Sequence, residues 1–108
     1  MSRELAGLIR MGKNAFSEAE CLRAERHLLE ALAGGAKYPD LHYALGLIDH
    51  QRGNYRRAVE WFGQAVSLNP DYTEALLSLS ITLNDMGRYD EARDAYDRAA
   101  EILSRKGV

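Results

Sequence analysis

The chain has 108 residues, 46% of them hydrophobic and 28% charged, which is the composition of one small globular domain and excludes a disordered segment. Fourteen basic and sixteen acidic residues leave a net charge of −2 with both signs mixed throughout, so no basic stripe exists to track a nucleic-acid backbone. Cys21 is the single cysteine, which excludes an internal disulfide and a two-thiol metal site, and no apolar run reaches the roughly 18 residues of a membrane span.

Met1-Ser2-Arg3-Glu4 leads directly into an amphipathic pattern, unlike a signal peptide, so a cytoplasmic location without membrane insertion is expected. A first helix is predicted near 3–15. Ser17-Glu18-Ala19-Glu20 then has the spacing of a capping box, which starts a second helix over 18–33. Gly34 to Tyr38 supply turn chemistry before Pro39; Gly34-Gly35 lacks the further glycine and lysine of a phosphate loop and is read as a plain turn. A third helix is predicted over 39–51, where Leu41, Leu45 and Ile48 recur at four and three residues. Gly53-Asn54 ends it, the glycine offering a positive φ, and a fourth helix follows over 55–68. Beyond the Asn69-Pro70 joint, Leu76, Leu79 and Leu83 mark a fifth helix over 72–85, Gly87-Arg88 a second turn, and a sixth helix runs over 89–103.

These elements repeat. Displaced by 34 residues, Gly53, Tyr55 and Ala58 fall on Gly87, Tyr89 and Ala92, and Phe62, Ala65 and Leu68 fall on Tyr96, Ala99 and Ile102. Gly12, Ala24 and Ala31 hold the same frame ahead of Gly46, Ala58 and Ala65. One helical hairpin is therefore repeated three times, over about 5–38, 39–72 and 73–106, within a single domain spanning 1–108. The alanines place small groups where paired helices cross, and Phe62 and Tyr96 are expected to fill the space between them. The fold class is all-α, an α-solenoid of about six helices.

The sequence Leu45, Gly46, Gly53, Tyr55, Ala58, Phe62, Ala65, Pro70 at this period resembles the tetratricopeptide repeat (TPR) family, and the resemblance covers nearly the whole chain. The third copy departs at Ser80 and Ser104, and the first at Met11, Ala19 and Cys21. The family's opening tryptophan is replaced by Leu8, His42 and Leu76, and Trp61 stands elsewhere, on a second helix. The resemblance implies a right-handed superhelix whose concave groove, lined by the first helix of each repeat, receives a peptide or helix of a partner protein. Carried over, that groove comprises Ile9, Lys13, Phe16, Tyr43, Leu47, His50, Leu77, Ile81 and Asn84. Two readings stand side by side for its apolar members: they contact a partner, or, as for Leu47 and Ile81, they pack on the adjoining repeat. The positions at which carboxylate-clamp members of the family carry cations and amides fall on Ile9, Lys13, Ala44, Glu74 and Ser78, so this groove lacks the clamp and suits an amphipathic helix or an apolar segment.

No catalytic constellation accompanies the repeat, and neither enzyme activity nor a cofactor is expected. Cys21 and His27 stand six apart on one helix, off a common face, and His42 and His50 stand eight apart, outside metal-ligand spacing. His42 is read as a packing residue and His50 as a hydrogen-bonding group at the groove edge. At the far end, Arg93 and Ala100 replace Val59 and Val66, a polar adaptation of a helix with no repeat after it. Leu79, Leu83, Tyr96, Ile102 and Leu103 are expected to be short of cover there, which leaves a homo-oligomer through the C-terminal repeat open. The leading expectation is a protein-interaction scaffold. The alternative is a self-assembling structural module, or one part of a larger multi-protein component.

Overall fold

Ser17 caps the first complete helix as its spacing requires. In the computed structural model, which describes residues 3, 6, 7, 9, 10 and 17–107, the Ser17 hydroxyl accepts from the Glu20 N–H at 3.1 Å. The Glu20 carboxylate accepts from the Ser17 N–H at 3.4 Å, completing the capping box that opens α1, Glu18–Ala33. Pro39 occupies the first position of α2, Pro39–Gln51, where its missing N–H costs no intrahelical bond. Next come α3, Tyr55–Leu68, α4, Thr73–Asp85, and α5, Tyr89–Arg105. The described residues contain these five helices and no strand. Of the helix expected near 3–15, residues 3, 6, 7, 9 and 10 are helical, and the remainder lies outside the described residues.

The two glycine turns are copies of one another. Gly53 and Gly87 adopt φ of +81° and +79°, a conformation that a side chain disfavours. Each turn closes with the paired bonds of a Schellman motif: Gly53 N–H to His50 C=O and Asn54 N–H to Asp49 C=O, then Gly87 N–H to Asn84 C=O and Arg88 N–H to Leu83 C=O. These tight turns fold α2 back on α3 and α4 back on α5, while α3 meets α4 and α1 meets α2.

Two apolar clusters result. The first joins Ile9, Cys21, Ala24 and Leu28 to Leu41, Ala44, Leu45 and Ile48 of α2. The second gathers Tyr43, Ala58, Phe62, Ala65, Tyr72, Ala75 and Leu76 with Ala99 and Ile102. Phe62 is fully buried, which stabilises the fold by roughly 1.5–3 kcal/mol. Its ring needs Gly46, since a Cβ there would come within 3.0 Å of three ring carbons.

Tyr96 does not repeat this arrangement. Expected to fill the space in the last hairpin, it is instead 56% exposed. The residue opposite is Ser80, whose hydroxyl donates to the Ala92 carbonyl at 2.7 Å and so ties the two helices together where Gly46 had left room for a ring. Leu83 and Ile102, expected to be short of cover, are buried, and Leu79 and Leu103 are half-buried. The uncovered apolar end therefore consists of Ile81, Tyr89 and Tyr96. A polar cluster absent from the sequence reading supports the α2–α3 hairpin: the buried Asp49 carboxylate accepts from Trp61 Nε1–H at 2.9 Å and from the Asn54 amide at 3.4 Å. Trp61 thereby anchors α3 to the end of α2.

Candidate partner-binding groove

Of the expected groove residues on α2 and α4, Leu47, His50 and Ile81 line one cleft, and Asn84 lines a separate depression with Ile81. Tyr43 is nearly buried, its ring 5.8 Å from Phe62 and 5.2 Å from Tyr72, with its hydroxyl 3.4 Å from Ser78 Oγ. It is the floor of the α2–α4 junction. Ile9 is buried in the first cluster, and Lys13 and Phe16 lie outside the described residues. Leu47, His50 and Leu77 are half-buried, and Ile81 and Asn84 are exposed. One turn of helix separates Tyr43 from Leu47, and that turn carries the surface from core to solvent.

Leu47, His50, Phe62, Ser78, Ile81 and Thr82 line one cleft of about 170 Å³. Three of these were among the expected groove residues. Ser78 enters the sequence reading only as one of the carboxylate-clamp positions, and Thr82 not at all; Thr82 is buried, and its hydroxyl donates to the Ser78 carbonyl at 2.8 Å. Phe62, assigned to packing, is fully buried and closes the floor of the cleft.

Polar groups hold the walls in register. His50 Nε2 lies 3.2 Å from Asp85 Oδ2, tying the ends of α2 and α4, and its ring stacks at 5.3 Å on Tyr55. At the opposite end the Tyr72 hydroxyl donates to Asp40; burial, reinforced by this bond to a carboxylate, pushes the phenol far above its ordinary range. Tyr72 stays neutral and remains seated against Tyr43. Of the carboxylate-clamp positions, Ile9 and Ala44 are core residues, Ser78 is engaged by Tyr43, and Glu74 is exposed with the sign opposite to a clamp lysine. Among the described residues no group of three or more His, Cys, Asp or Glu is arranged to hold a metal ion, and no helix is long and apolar enough to cross a membrane.

With the paired hairpins and their turns established, the family comparison is decisive: tetratricopeptide repeat models match residues 49–104 and 9–62. The chain belongs to the TPR family. The photosystem I assembly protein Ycf3 of Rippkaea orientalis is 31% identical over 102 residues, covering 85% of this chain and 59% of that protein. The crystal structure of MamA superposes with a TM-score of 0.84 at 26% identity, over 95% of this chain and 60% of that one. This TPR chain thus spans about three-fifths of the length of both. The second TPR of Spaghetti (RPAP3), bound to the HSP90 peptide SRMEEVD, has a TM-score of 0.80 at 17% identity, over 93% and 87% of the two chains, a likeness of fold alone. The TPR fold is consistent with a protein-interaction scaffold.

Proposed function

We propose that this TPR domain is a non-catalytic interaction module of the cytoplasm that takes an amphipathic helix or an extended apolar segment of a partner protein into the groove between α2 and α4. The observation that carries the reading is the cleft of Leu47, His50, Phe62, Ser78, Ile81 and Thr82, in which apolar walls are rimmed by hydrogen-bonding groups. Apolar side chains of the partner supply affinity there by leaving water. His50 and its partner Asp85 at the rim supply register. A free carboxylate has no cationic pair to meet at Ala44, Glu74 and Ser78, so the C-terminal acidic peptides of the clamp class do not suit this groove.

Selection of a random peptide library on the immobilised domain tests this. The enriched peptides are expected to carry two or more apolar anchors, and Leu47→Glu and Leu77→Glu are each expected to weaken their binding by at least about tenfold while the helical circular dichroism is retained. Enrichment of peptides ending in acidic residues, or binding that survives both charges, contradicts the reading.

A further inference from the structure

The cleft between α2 and α4 fixes a size, and the helices that flank it fix a charge. Leu47, Phe62 and Ile81 give the cleft its apolar lining over a volume of about 170 Å³. An apolar cavity of about 150 Å³ accepts a benzene ring, so this cleft matches one phenyl-sized side chain. Its polar groups are already engaged: the Thr82 hydroxyl donates to the Ser78 carbonyl, the Ser78 hydroxyl faces that of Tyr43, and the His50 ring bonds Asp85. A hydrocarbon ring can therefore enter without leaving any of them unpaired.

Helices α2 and α4 carry Asp40, Asp49, Glu74 and Asp85 and neither lysine nor arginine, whereas the rest of the chain holds fourteen basic and twelve acidic residues. Asp49 is buried and held by Trp61, away from the cleft. Glu74 stands one turn before Ser78 on α4 and Asp85 one turn after Ile81, so acids bracket the cleft along that wall. Asp85 is engaged by His50. Asp40 and Glu74 meet at the other end: burial does most to raise the Tyr72 phenol, its bond to Asp40 adds to this, and the charges of both carboxylates reinforce it. Among the described residues neither carboxylate forms an ion pair, and Glu74 is exposed. Each lies in the first turn of its helix, where the dipole supplies only about half a positive charge, so this end stays net negative.

We infer that the groove takes a basic segment of a partner protein, in which one phenylalanine-sized side chain fills the cleft and a lysine or arginine beside it meets Glu74 and Asp40. The proposal rests on the groove reading and adds to it the sign of the partner's charge. Glu74 and Ser78 are about 6 Å apart along the axis of α4, so the cation sits within a few residues of the anchor. An acidic segment, or the phosphates of a nucleic acid, would meet like charge at the same place. The acidic wall is that of α2 and α4; Lys13, a groove position in the sequence, lies outside the described residues.

A random peptide library selected on the immobilised 108-residue chain reads size and sign together. Enriched peptides are expected to carry phenylalanine, or a side chain of its size, with lysine or arginine close by. In resynthesised peptides, exchange of those cations for glutamate is expected to weaken binding at least about tenfold, and exchange of the anchor for serine at least as much. Glu74→Lys in the domain erases the preference for the basic form and Glu74→Gln reduces it, both with the helical circular dichroism retained because Glu74 is exposed. Added salt weakens the basic peptides and leaves their dependence on the anchor in place. Enriched peptides that lack cations, yet lose binding on Leu47→Glu, overturn the basic partner and leave the groove standing. A charge preference that Glu74→Lys does not change also overturns it, since the cations then sit elsewhere. Binding that ignores Leu47→Glu, or no enrichment at all, overturns the groove and the basic partner together. A dimer in sedimentation that Glu74→Lys dissociates makes a second copy the occupant and overturns the separate partner.

Discussion

His42 stands where the family pattern has its opening tryptophan, and it fills that place as an aromatic ring, 5.8 Å from Trp61. Only 6% of it is exposed, and its buried Nδ1 has no hydrogen-bond partner among the described residues. Burial accordingly holds its pKa below the ordinary 6.5, because the imidazolium would be desolvated with nothing to compensate it. In the window between that depressed value and 6.5 the unfolded chain binds the proton and the folded chain does not, so the contribution of this residue to stability is full above 6.5 and is lost as the pH falls through the window. Urea midpoints followed from neutral to mildly acidic pH are expected to fall in the wild type and to fall less steeply in His42→Leu. Parallel curves would mean that His42 is not the titrating group.

At the scale of helices, the approach of α2 to α3 is set by Gly46 against Phe62, and the two kinds of helical glycine in this chain should respond oppositely to alanine. A methyl at Gly46 would enter the ring of a fully buried Phe62, an overpacking expected to cost about 1–3 kcal/mol. Gly63, inside α3 with nothing within 4 Å of an added Cβ, should gain about 0.5–1 kcal/mol from the same change through helix propensity. Denaturant melts of the two variants check both signs. The helices themselves were legible from caps, proline positions and leucine spacing, because these are local signals; α2 and α3 begin and end where those signals stand, and α5 runs two residues past its expected end at 103. The exposure of Tyr96 was not legible, since Phe62 and Tyr96 look equivalent in a repeat overlay and differ only through the residue facing each, Gly46 or Ser80. The bond between Asp49 and Trp61 escaped notice for the same reason: twelve residues and a turn separate them, and no periodicity links a carboxylate to an indole.

For the whole molecule, stacking decides function, because each repeat exposes on one side what its neighbour covers on the other. The proposed groove reads in the sequence as a set of positions, not as a surface. Tyr43 and Leu47 share the pattern equally, yet one is sealed by Tyr72 and by Ser78 of the following repeat and the other opens on the cleft. Which face of α2 meets α4 is a property of two helices together, and a single-helix pattern does not contain it. The most direct test of the groove is amide chemical-shift mapping of the labelled domain, titrated with a peptide selected against it. Perturbations are expected to centre on Leu47, His50, Leu77 and Ile81 and to leave the outer face of α5, from Asp90 to Glu101, unmoved; perturbations confined to that outer face, with Leu47 and Leu77 unchanged, would contradict a groove-binding role.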